Sequence, residues 1–269
     1  MRRPLFASLI ISCLTLARAV FAHEFWIDPV AFEVAPDSPI VAELRVGQDF
    51  AGARQSYFPA RFERFEVRMG DRIREVEGRL GDLPAMDMVV EGEGLAVIVH
   101  ETRGDSLQYR ERALFEQFVT HKDLGDVLAR HAARGLPELA FREAYTRYAK
   151  SLVAVGTGKG SDARVGLKIE VVAGGNPYTD DLSGGMPVQV FYLDAPRRDA
   201  QIEVFDRAPD GNVESLTLRT DQEGRASVPV TPGHTYLVDS VVMENTGNDD
   251  PDAGPVWHSA WASLTFRVP

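Results

Sequence analysis

The run Phe62-Glu63-Arg64-Phe65-Glu66-Val67-Arg68-Met69 alternates apolar with charged residues, with one slip of phase at Phe65. A period of two puts one set of side chains on a buried face and the other in water, a pattern no helix keeps. Gly70-Asp71 closes the run, and Ile73-Arg74-Glu75-Val76 follows as its hairpin partner. Residues 40–46 alternate in the same way. Residues 95–99, Leu-Ala-Val-Ile-Val, form an unbroken apolar run of strand length, as a strand inside a sandwich core would. Short strands return at 167–172, 187–193, 200–205, 215–219, 226–230, 236–243 and 261–268. Among them, Thr220-Asp221-Gln222-Glu223-Gly224-Arg225 reads as a turn.

Between these two strand-rich stretches the period changes. Three helices are predicted, over 113–121, 126–134 and 139–150. The last rests on Phe141, Tyr145, Tyr148 and Leu152 sharing one helical face. Gly156-Thr157-Gly158-Lys159-Gly160-Ser161-Asp162 lacks the phosphate-loop spacing and the strand–helix context that such a loop needs, so it reads as a linker. The expectation is a mainly β chain: two β-sandwich, immunoglobulin-like domains with a small helical insertion between them. Its boundaries are a signal peptide at 1–22, a first sandwich at 23–155 with a helical segment at 113–150, a linker at 156–166, and a second sandwich at 167–269.

The signal peptide rests on Arg2 and Arg3, the apolar run that follows them, and the small residues of Val20-Phe21-Ala22. Cleavage is expected after Ala22; Ala17-Arg18-Ala19 offers a second site, and Cys13 a lipoprotein reading. The apolar run is too short to span a membrane. Cleavage after Ala22 removes Arg2, Arg3 and Arg18 and no acid, moving the formal charge from −11 to −14. So acidic a surface repels nucleic acid and anionic lipid. The only cysteine, Cys13, leaves with the signal, so neither a disulfide nor a thiolate site is available.

Six histidines remain, at 23, 100, 121, 131, 234 and 258, and none forms a two-histidine metal motif. His121 and His131 read as surface residues on separate helices, His234 as a turn residue, and His100 as a half-buried, hydrogen-bonded strand end. His23 differs. As the first residue of a processed chain it offers a metal both its α-amine and its ring, a pair suited to Cu²⁺, Ni²⁺ or Zn²⁺. Phe25-Trp26-Ile27 would dock behind it and hold the terminus down. His258, between Trp257 and Trp261, is the best second ligand. Asp249-Asp250-Pro251-Asp252 lacks a calcium-loop pattern and reads as a solvated loop. No G-x-S-x-G is present, and with so many acids any chosen carboxylate pair would be arbitrary. No catalytic residue is assigned.

Several stretches occur together and in order: His23-Glu24-Phe25-Trp26-Ile27, Pro59-Ala60-Arg61-Phe62-Glu63-Arg64-Phe65, Tyr145-Thr146-Arg147-Tyr148-Ala149-Lys150-Ser151-Leu152, Asn176-Pro177-Tyr178 and Trp261-Ala262-Ser263-Leu264-Thr265-Phe266. The chain thereby resembles a family of exported bacterial proteins known only as a domain of unknown function, some of whose members are associated with nickel or cobalt uptake. The resemblance implies a periplasmic location, a two-domain β build and transition-metal handling. Relatives often carry an acid where this chain has His258, and a histidine where it has Met243. The functional expectation is a periplasmic, non-enzymatic protein that binds a divalent transition metal (Ni, Co or Cu) through His23 and His258. It would serve a membrane metal-uptake complex. Two alternatives stand beside it: a structural or protein-interaction β-sandwich without metal, and a copper histidine-brace oxidoreductase.

Overall fold

The computed structural model describes residues 23–269, so the signal peptide expected at 1–22 and its cleavage site lie outside the described residues. One ten-stranded sheet runs through the molecule. Its path passes through Val213–Arg219, Gln201–Arg207, Thr235–Asn245, Trp257–Arg267, Arg142–Val155, Gly94–Thr102, Phe62–Met69 and Arg72–Glu75. The expected hairpin of Phe62–Met69 with Arg72–Glu75 is present, and Gly70 takes the positive φ of 60° that its turn requires. A four-stranded sheet built on Glu24–Pro29, Pro39–Gln48 and Ala51–Gln55 covers part of one face of the long sheet. A second four-stranded sheet, built on Ile169–Ala173 and Met186–Tyr192, covers the other face.

Side-chain parity shows how the two sandwiches share that sheet. On Gly94–Thr102, Ala96 and Ile98 enter the core under the first small sheet, whereas Leu95, Val97 and Val99 enter the core under the second. On Arg142–Val155, Ala149 and Val153 divide from Tyr148 and Leu152 in the same way. Both faces are therefore dry, which is why residues 95–99 carry no polar alternation.

The chain is mainly β, with α-helices only at Arg112–His121 and Val127–Ala133 among the described residues, beside one 3-10 turn at Pro59–Arg61. Both α-helices stand where expected. The third expected helix does not exist: residues 142–155 form the long central strand, antiparallel to Gly94–Thr102 and parallel to Trp257–Arg267. Tertiary burial overrides the apparent helical face, because a strand buried on both sides shows no clean period of two and can imitate a period of 3.6. Thr146, Tyr145, Tyr148 and Val153 also favour extended structure.

Residues 156–166 form no strand, yet they are fastened rather than loose. Lys150 Nζ holds Asp162 at 2.7 Å and Glu170 at 3.0 Å, with all three side chains buried. Asn176 Nδ2 donates to the carbonyls of Gly158 and Gly160. The two helices pack Phe115, Phe118 and Val127 against Val241, Met243, Trp257 and Trp261. They thus cap the long sheet beside the first small sheet. No described helix is long and apolar enough to cross a membrane.

Candidate functional site

The first strand arrives beside the helical cap with all six of its residues, Glu24–Pro29, buried. It pairs with Pro39–Gln48, Glu24 standing opposite Gly47. Trp26 is wholly buried against Phe50, Phe205 and Leu237. The backbone at Gly52 lies so close to that indole that a Cβ there would meet its ring at 2.7 Å. Thr265 Oγ1 donates to the carbonyl of Ile27 at 2.6 Å, and Asp28 pairs with Arg45 and Arg207. His23 is therefore attached to a fixed element, as a chelating terminus requires.

Helix Arg112–His121 ends directly over this strand. Its capping residue, Lys122, reaches Glu24 Oε1 at 2.8 Å, Glu203 Oε2 at 2.5 Å and Asp239 Oδ2 at 2.9 Å. The ammonium also lies 5.2 Å from the centre of the Trp261 ring. All four charged groups are buried. Burial alone would pull the Lys122 pKa down, but Asp239, Glu24 and Glu203 together hold it well above the usual range. Three carboxylates against one ammonium leave the cluster short of positive charge. Burial accordingly pushes Asp239 up to about 7, helped by Glu24 and Glu203 and opposed by Lys122. One oxygen from each acid lies within 4.8 Å of the others. Glu24 Oε2 and Asp239 Oδ1 are buried with no hydrogen-bond partner.

A cavity of about 770 Å³ opens onto this cluster, lined among others by His23, Glu24, Gln48, Gln117, His121 and Lys122. The His121 ring is more than half exposed and places Nε2 3.1 Å from Glu203 Oε1. Two histidines expected to be unrelated thus face one acidic cavity. Among the described residues, the ligand atoms that lie within 4.8 Å of one another are those of the three acids, with His23 and His121 on the wall of the adjoining cavity.

His258 is elsewhere. Side chains alternate along Trp257–Arg267, with Trp257 and Trp261 under the helices and Ala260 and Ala262 in the core on the opposite face. His258 follows the latter parity. It contacts Glu244 at 3.0 Å and Thr146 at 3.1 Å, and Glu244 is shared with Lys168. The structure does not bring His23 and His258 together.

The remaining histidines divide. His234 sits in its turn on Asp206 at 2.7 Å, as expected. His131 is not a surface residue. It is buried, accepts from Trp257 Nε1 at 3.0 Å and packs on Phe115 and Phe141. His100 is fully buried among Phe25, Phe62 and Phe65 with both ring nitrogens unpartnered, rather than half-buried and satisfied. Asp249, in the acidic loop, pairs with Arg134.

Lys122, Glu203 and Asp239 were not legible as a group, because 81 and 117 residues separate the lysine from the two acids. Each acid nevertheless left a mark. Glu203 interrupts Ile202-Glu203-Val204-Phe205, and Asp239 interrupts Leu237-Val238-Asp239-Ser240-Val241. A lone charge at the centre of an apolar strand implies a buried partner.

A family model described as "Domain of unknown function (DUF4198)" matches residues 20–244, and the chain belongs to that family. No curated protein matches it. Among solved structures, a tetra-tandem repeat from the extending region of a large adhesion protein is similar at 8% identity and a TM-score of 0.22. The match covers 91% of this chain and 49% of that one. The D0-D1 domain of intimin is similar at 13% identity and a TM-score of 0.21, covering 90% and 97%. A Salmonella alpha-2-macroglobulin variant is similar at 12% identity and a TM-score of 0.24, covering 91% of this chain and 15% of that one. The chain thus spans about half the length of the adhesion repeat.

Proposed function

We propose that this DUF4198 protein is exported and binds a divalent transition metal in the cavity between its first strand and its helical cap. The observation that carries the reading is that His23, His121 and Glu24 line one cavity together with Lys122, which Glu203 and Asp239 hold from behind. Cleavage after Ala22 supplies the α-amine of His23, which loses its proton to a metal at little cost near neutral pH. His121 brings a second imidazole, and the unpartnered Glu24 Oε2 an oxygen. A divalent cation there offsets the excess of buried negative charge. The sequence resemblance favours nickel or cobalt as the cargo and a membrane uptake complex in the periplasm as its destination. His121 takes the place that the sequence suggested for His258.

Calorimetric titration with Ni²⁺ tests this. Protein beginning at His23 binds, while one extra residue ahead of His23, or His121→Ala, weakens binding by ~10-fold or more. His258→Ala leaves it unchanged. Equal binding by the native, extended and His121→Ala proteins would remove the chelate from consideration.

A further inference from the structure

We propose that a second cavity, which shares His23 as a wall with the first, binds an organic carboxylate with an apolar body. This cavity also measures about 770 Å³, within the ~300–1,000 Å³ of small-molecule sites. It lies between the first small sheet and the central strand, and none of Glu24, Glu203 and Asp239 lines it. Phe25, Leu44, Phe58, Phe62 and Tyr145 give it apolar walls. Its charged lining is the reverse of the molecule's. Arg61, Arg103 and Arg147 face it against one carboxylate, Asp105, in a chain of formal charge −11.

Arg147 is the centre of the argument. It projects from the central strand Arg142–Val155 and is only partly exposed. Among the described residues, no carboxylate oxygen lies within 4.0 Å of its guanidinium nitrogens. Its Nε is buried and unpartnered. Burial pulls the Arg147 pKa down, and the fields of Tyr145, Asp105 and Glu24 only partly restore it. A half-buried arginine without an anion is costly, and in so acidic a protein an internal partner would have been easy to supply.

The guanidinium is also anchored. Its carbon lies 4.5 Å from the centre of the Tyr145 ring, which holds the guanidinium at the cavity wall, while its Nε has no partner. A guanidinium matches a carboxylate, which takes two parallel N–H donors. Phe25, Leu44, Phe58, Phe62 and Tyr145 on the other walls suit an apolar body. A metal cation is excluded by the same three guanidinium groups that attract the anion.

The test uses metal-free protein, so that its outcome is separate from that of the metal reading. Octanoate, 3-phenylpropionate, the neutral 3-phenylpropanol and inorganic phosphate are titrated by calorimetry. The two carboxylates bind with Kd of ~1 mM or tighter, and the alcohol and phosphate at least ~10-fold more weakly. Arg147→Met weakens carboxylate binding by ~10-fold or more. Arg103→Met, at a side chain 61% exposed and so harmless to folding, weakens it by ~3-fold. Failure of both carboxylates to bind overturns the proposal, as does equal binding by native protein and both variants. Phosphate binding as tight as that of the carboxylates overturns the apolar-body assignment.

Discussion

Glu143 shows what one buried group imposes on this molecule. It is wholly buried and accepts from Tyr109 Oη at 2.6 Å and from Ser259 Oγ, which in turn accepts from Trp261 Nε1 at 2.8 Å. Burial pushes its pKa up to about 7, from 4.5, against the pull of Ser259, Tyr109 and Arg147. As pH rises from 4.5 the unfolded chain releases this proton first, so stability falls until about pH 7, by up to ~1.4 kcal/mol per pH unit. His100 acts in the opposite sense. Burial pulls it down to about 3, so the unfolded chain takes up a proton first as pH drops below 6.5, and stability is lost on the acid side. Urea unfolding of Glu143→Gln against the native protein separates the two effects. The variant gains stability relative to native protein between pH 5 and pH 8, and a pH-independent difference would contradict the assignment. Neither group was legible as buried from its neighbours in sequence. Glu143 lay in what read as a helix, and His100 read as a half-buried, hydrogen-bonded strand end rather than the fully buried, unpartnered ring it is.

Among the elements, those with a one-sided environment were the ones the sequence showed clearly. Phe62–Met69 alternates because only one of its faces is fully packed, and Arg112–His121 buries Phe115, Phe118 and Val119 on one stripe. The strand Arg142–Val155 defeated the same reasoning because its last eight residues are buried on both faces. The segment 156–166 misled in another way. Its Gly, Ser and Lys content fits a tether, but Asp162 is buried on Lys150 and contributes to fixing the crossing between the two halves. Because one sheet runs unbroken through both halves, a nick in this segment does not release them. Protease-nicked protein is expected to elute from size-exclusion chromatography at the native volume. Elution as two smaller species would mean that the halves are independent domains.

At the scale of the whole molecule, the fold joins what the sequence keeps apart. Glu24 comes from the first strand, Lys122 from the end of a helix, and Glu203 and Asp239 from two neighbouring strands near the C-terminus. The strand-rich class and the helix pair could be read from local pattern. That His121 and not His258 shares a cavity with His23 could not, because it depends on which side of the long sheet each residue lies. X-ray absorption at the nickel edge, on Ni²⁺-loaded protein that begins at His23, examines the choice between the two histidines most directly. The account predicts a mixed nitrogen–oxygen shell with imidazole scattering that diminishes in His121→Ala and persists in His258→Ala. A shell of oxygen alone, or one that loses imidazole only when His258 is replaced, would contradict it.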